Sequence, residues 1–105
     1  MKRPYRVIQV GTGGWGAWWC RDFLPPNVKD GLIEVVAAVD AKPEALKNAV
    51  EHLGLPENKC YTDTAKALKE NEADFCAVVV PPAFHEQVID LALEHGVNVL
   101  CEKPI

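Results

Sequence analysis

Three glycines in the stretch GTGGWG, Gly11, Gly13 and Gly16, stand in the spacing G-x-G-x-x-G, and an acid, Asp40, lies 24 residues beyond the last of them. Each glycine has its own steric task. Gly11 permits a tight turn, Gly13 removes a Cβ so that backbone can approach a pyrophosphate, and Gly16 lets a helix pack close to a sheet. Gly14 and Trp15 complete the stretch and join the candidate contacts. The N–H groups of the first helical turn would then face an anionic ligand. Asp40 is placed to accept hydrogen bonds from both hydroxyls of an adenosine ribose, and its charge would repel a 2′-phosphate. That favours NAD over NADP, although the ammonium of Lys42 could offset the repulsion and keeps NADP possible.

Two later stretches also carry chemistry. In VVVPPAFHEQ, residues 78–87, Pro81 and Pro82 can continue neither a ladder nor a helix, so they are expected to form a rigid turn, and His85 to begin the helix after it. In CEKPI, residues 101–105, Glu102 and Lys103 project from a strand end and Pro104 directs the chain after them.

The intervening pattern must place these groups. Residues 5–10 (YRVIQV) form a β-rich run that stops at glycine, and residues 14–24 are expected to be helical, ending before Pro25 and Pro26. The run 33–39 (IEVVAAV) is nearly all apolar, as in a strand covered on both faces. Pro43 suits a first helical turn, Ala45, Leu46, Ala49, Val50 and Leu53 recur at helical spacing, and Gly54 supplies a stop. A brief strand over 59–62 precedes a short helix through Glu70, capped by Asp63 or Thr64. A strand over 75–80 leads to an amphipathic helix over 84–95, with Val88, Ile89, Leu91, Ala92 and Leu93 inward and Gly96 at its end, and a last strand covers 97–101. Strict alternation with apolar strands predicts an α/β fold, a doubly wound parallel sheet of five strands in the order 3-2-1-4-5. All the candidate groups then fall at the carboxyl ends of strands, the edge along which such sheets bind ligands.

The glycine turn, the run PPAFHEQVIDLALEHGVNVLCEKP and above all Glu102-Lys103-Pro104 together resemble the N-terminal Rossmann domain of the family of glucose-fructose oxidoreductase, inositol dehydrogenase and MocA. The resemblance covers essentially the whole chain. It implies that Lys103 lies near the nicotinamide and the reacting hydroxyl of the substrate, that Glu102 sits by the nicotinamide ribose, and that Pro81, Pro82 and His85 line the path of the cofactor. Val80 departs from the threonine that the family often carries. The further catalytic groups of the family come from a second α+β domain, so residues 1–105 are expected to be the dinucleotide-binding domain, with a substrate domain to follow. The activity implied is hydride transfer between a nicotinamide cofactor and a secondary alcohol of a sugar, cyclitol or related polyol. A dinucleotide-sensing module without activity would keep the glycine turn and Asp40 but have no use for Lys103. Methyl transfer from S-adenosylmethionine also uses a glycine turn and a strand-two acid, and it too calls for no such lysine.

Composition narrows the partners. A net charge of -4 over 105 residues, with both signs mixed, is no footprint for nucleic acid or an anionic membrane. No apolar run is long enough for a signal peptide or a membrane helix, and Cys20, Cys60, Cys76 and Cys101 form no CxxC pair. A cytoplasmic protein with reduced thiols and no metal is expected. On the first helix, Gly16, Cys20, Phe23 and Leu24 should face the sheet with Trp19 at their flank, while Trp15 and Trp18 project. Two projecting tryptophans suggest an interface, and hence a homo-oligomer or packing on a following domain, with Trp15 also placed to close over a cofactor.

Overall fold

A computed structural model describes residues 4–80 and 82–101. Five parallel strands run in the order β3-β2-β1-β4-β5: β1 Tyr5–Val10, β2 Ile33–Val39, β3 Cys60–Tyr61, β4 Phe75–Val78 and β5 Asn98–Cys101. The central strands alternate their apolar side chains between two faces. Ile8 and Val10 of β1, Ala37 and Val39 of β2, and Cys76 and Val78 of β4 are buried with Ala67 and Leu68 of helix α4 (Thr64–Glu70) and Val88 and Ala92 of helix α5 (Pro82–Glu94). On the opposite face, Val7 and Ala77 meet Trp19 and Leu24, while Ala38 meets Cys20, Leu46 and Ala49. The expected sheet, order and two covered faces are therefore present. Strand β4 ends at Val78 rather than residue 80, yet Val79 still donates its N–H to the Val10 carbonyl at 2.8 Å.

The segment after the glycine turn departs most from the expectation. It comprises helix α1 (Trp15–Trp18), a π-helical turn (Trp19–Phe23) and helix α2 (Leu24–Lys29), so Pro25 and Pro26 lie inside helix rather than ending it. A proline lacks an N–H and crowds the carbonyl four residues earlier, which an α-helical interior tolerates poorly. Here both prolines fall in the first turn of α2, directly after the wider π turn, and Asn27 Nδ2 satisfies the Phe23 carbonyl at 2.8 Å.

The π turn also reassigns the faces. Its i→i+5 bond, Leu24 N–H to the Trp19 carbonyl, stacks residues five apart, and Trp19 and Leu24 are both buried while Phe23 is 40% exposed. Phe23 was expected on the sheet face and Trp19 at its flank; one extra residue in the turn exchanges them. The Trp19 ring lies 4.6 Å from that of Phe23, and Trp18 stacks on Phe23 at 6.0 Å, half-buried rather than fully projecting. Cys20 and Leu24 face the sheet as expected.

Smaller corrections concern helix ends. Residues 43–46 form a 3-10 turn, and only Lys47–Leu53 is α-helical, which rotates Val50 out to 36% exposure. Gly54 ends that helix, α3, in the left-handed conformation at φ +70°, as Gly96 does after α5. Helix α5 begins at Pro82, two residues before the expected start, because a proline is well suited to a first helical turn. Its buried stripe is Val88 and Ala92, one turn apart, so Leu93, about 100° further round, is 62% exposed rather than inward. Asp63 caps α4, with Oδ1 accepting from Ala65 N–H at 3.0 Å.

The thiols are structural in environment. Burial pushes Cys20 up to about 12, with the Asp40 carboxylate and Cys60 adding to the shift, and burial pushes Cys76 up to about 11. Cys60 is also raised by burial and by Glu57 but is only half-buried. A raised value keeps the protonated thiol at pH 8, and the thiolate is the nucleophile. Alkylation of the native protein at pH 8 should therefore modify Cys60 well before Cys20 or Cys76, as peptide mass mapping would show. Early labelling of Cys20 would mean that the first helix opens readily. Among the described residues no group of histidines, cysteines and acids could hold a metal, and no helix is long and apolar enough to cross a membrane.

Candidate functional site

The glycine turn follows β1, the strand at which the sheet order reverses, and is flanked by the ends of β2 and β4. Gly11 adopts φ +99°, and a Cβ there would collide with the Val79 carbonyl and lie 3.2 Å from Cγ1 of Val80. Its N–H donates to the Val39 carbonyl at 2.8 Å, so the first glycine is pressed between the ends of both neighbouring strands. Val80 presents a methyl group to this contact, with no hydroxyl available at that position.

The other glycines divide the work differently from the expectation. A Cβ on Gly13 would sit 3.3 Å from the Ala45 Cβ and 3.9 Å from Asp40 Oδ2, so its bareness admits the turn before α3 as well as any ligand. Gly14 needs glycine for conformation, at φ +56°, and among the described residues beyond its chain neighbours no atom lies within 4 Å of where its Cβ would be. At Gly16 a Cβ would strike the Gly11 carbonyl oxygen, so the first helix rests on the turn itself rather than on a strand. Gly16 N–H and Ala17 N–H close the helical start on the carbonyls of Gly13 and Gly14, at 2.9 and 3.1 Å. A turn of this shape, open outside Gly14 and leading into a helix, fits the oxygens of a pyrophosphate.

Asp40 stands just beyond β2, and its carboxylate is joined to the glycine turn. Oδ2 accepts from Thr12 N–H at 2.9 Å and Gly13 N–H at 3.3 Å, while Oδ1 accepts from Lys42 N–H at 2.9 Å. A carboxylate has about four acceptor positions, so Oδ1 retains capacity for a ribose hydroxyl. Asp40 was expected only to hold a ligand; in the fold it also shapes the turn.

Two residues that no recognisable motif singles out, Thr12 and Asn48, complete this connection. Thr12 is wholly buried, and its hydroxyl donates to the Ala45 carbonyl at 2.8 Å. Asn48 Nδ2 donates to the Thr12 carbonyl at 2.8 Å, so the turn is tied to the start of α3. Neither carries a sequence signal, because both bonds depend on where α3 docks. Trp15 supplies the first residue of α1 and Pro82 that of α5, with His85 in its first turn. The expectations for the side chains of Trp15, Pro82 and His85, and for Pro81, Glu102 and Lys103, fall outside the described residues.

A parallel five-stranded sheet with a glycine turn at its order reversal and a hydrogen-bonded acid at the end of the adjacent strand defines a dinucleotide-binding Rossmann domain. Residues 5–105 match the oxidoreductase family with an NAD-binding Rossmann fold, the family of glucose-fructose oxidoreductase, inositol dehydrogenase and MocA, and the chain belongs to it. Protein y4oX of Sinorhizobium fredii is 50% identical over 101 residues, covering 96% of this chain and 28% of that protein. Inositol 2-dehydrogenase of Corynebacterium glutamicum is 31% identical over 106 residues, covering 100% of this chain and 30% of that enzyme. Among solved structures, scyllo-inositol dehydrogenase from Lactobacillus casei with bound NAD(H) and scyllo-inositol superposes with a TM-score of 0.80 at 26% identity, over 97% of this chain and 28% of that one. The chain thus spans under a third of the length of each of these proteins.

Proposed function

We propose that this chain is the cofactor-holding part of an oxidoreductase that moves a hydride between NAD and a secondary alcohol of a sugar, cyclitol or related polyol. The observation that carries the reading is the direct linkage of Asp40 to the glycine turn where the sheet order reverses. Gly11, Gly13, Gly14 and Gly16 shape the pyrophosphate contact, and the N-terminus of the first helix favours its negative charge. Oδ1 of Asp40 accepts from the adenosine ribose, and the same charge disfavours a 2′-phosphate. The nicotinamide supplies the hydride chemistry when bound.

The remaining assignments follow from family membership and from the polyol enzymes among the relatives. Pro81, Pro82, His85 and Trp15 border the cofactor, Glu102 meets the nicotinamide ribose, and Lys103 orients the reacting hydroxyl. A substrate domain beyond residue 105 supplies the other catalytic groups. Self-association through the side of the first helix where Trp18 stacks on exposed Phe23 belongs to the same reading.

Calorimetric titration tests it. The purified protein should bind NAD with a preference over NADP of about tenfold, equivalent to about 1.4 kcal/mol. Absence of binding of either dinucleotide at millimolar concentration would sink the proposal.

A further inference from the structure

Gln9 places an amide in the middle of β1, and its side chain is wholly buried. Burying an amide costs stability unless its hydrogen bonds are made, and every other residue of β1 from Val7 to Val10 is aliphatic. The neighbours in register are Ala38 on β2 and Ala77 on β4, both small and wholly buried. Residues opposite one another share a face of the sheet, so these two alanines leave room for the longer side chain beneath the first helix. From there Gln9 Nε2 donates to the Gly11 carbonyl at 2.9 Å. A carbonyl oxygen only accepts, which fixes which end of the amide faces it.

That carbonyl belongs to the Gly11–Thr12 peptide, whose N–H donates to Asp40 Oδ2 at 2.9 Å. A peptide is planar, so holding its oxygen and its N–H from opposite sides fixes the plane of the whole unit. The same oxygen lies where a Cβ of Gly16 would fall, so it is also the surface on which the first helix rests. We propose that Gln9 is a positioning residue for the pyrophosphate turn, clamping the Gly11–Thr12 peptide against Asp40 so that the turn is set before the dinucleotide arrives. The inference rests on the reading of this turn as the pyrophosphate site. Preorganisation of this kind raises affinity by removing an ordering cost at binding.

The test compares the wild-type protein with Gln9→Met, which keeps the length of the side chain and removes the donor. Thermal unfolding, amide hydrogen exchange and NAD calorimetry are measured on each. We expect an unfolding temperature close to that of the wild type, since the buried Gln9 Oε1, which has no hydrogen-bond partner, is removed while the Gly11 carbonyl loses its donor. Amides of residues 12–14 should exchange at least about fivefold faster while those of β1 hold their rates. Affinity for NAD should fall about tenfold. Unchanged exchange in the turn, unchanged affinity, or a lower unfolding temperature with faster exchange throughout the sheet would each overturn the proposal, the last in favour of a purely structural role. If Gln9→Met does not fold, Gln9→Asn, one methylene too short to reach Gly11, carries the same comparison. A wild type that takes no NAD sinks the cofactor reading alone, and the exchange rates still decide whether the clamp exists.

Discussion

Gly11→Ala is expected to destabilise the domain by about 3 kcal/mol or more, a drop of roughly 12–24 °C in unfolding temperature for a domain of this size. Two costs act together. The backbone sits at φ +99°, where an L-residue is strained, and the new methyl would strike the Val79 carbonyl. Neither strand end can retreat freely, because Gly11 N–H is bonded to Val39 and Val79 N–H to Val10, both at 2.8 Å. Gly14→Ala supplies the internal comparison. It carries strain at φ +56° but meets no atom within 4 Å among the described residues beyond its chain neighbours, so its cost should be about 1–2 kcal/mol. Urea denaturation of both variants separates conformation from crowding, and equal losses would show that the contact with Val79 contributes nothing.

Asp40→Ala is the second large effect, and it should appear in both stability and binding. Three backbone N–H groups, those of Thr12, Gly13 and Lys42, would lose their acceptor. Hydrogen bonds to a charged group are stronger than neutral ones, but Asp40 is only partly buried and water can replace some of them, so we expect a loss of about 2 kcal/mol. On the proposed reading of the site, affinity for NAD should fall by about 100-fold, since the turn would loosen and the ribose would lose its partner at once. The preference over NADP should also vanish. Denaturation and calorimetry on the same preparation read both quantities. Full stability with weakened NAD binding would assign Asp40 to the ligand alone, and lowered stability with unchanged binding would assign it to the turn alone.

The helical segment after the turn shows where reading by period fails. An α-helical spacing places Cys20, Phe23 and Leu24 on one face and stops the helix at two prolines. The chain instead widens by one residue over Trp19–Phe23, which brings Trp19 onto the core, turns Phe23 outward and carries the helix through Pro25 and Pro26. Nothing local announces a π turn. It forms because the bulk of Trp19 is buried against Val7, Ala77 and Val79, and that gain belongs to the sheet below. Helical spacing likewise turns Leu93 inward, whereas the narrow buried stripe of α5 leaves it exposed.

The alternation of elements, the five-strand order, and the positions of the glycine turn and Asp40 at adjacent strand ends are already written in the residue types and their spacing. Those features are legible because a doubly covered parallel strand must be apolar, and because a left-handed or crowded backbone position admits glycine almost alone. How these groups hold one another emerges only in the packed fold. That Gly16 rests on the Gly11 carbonyl, that Asp40 reaches back to Thr12, that Asn48 ties the turn to α3 and that Gln9 lies in the space left by Ala38 and Ala77 are contacts between residues distant in sequence or dependent on strand register. Backbone conformation is written in single residues and their periods, whereas a hydrogen bond across the fold exists only once packing has brought its two ends together.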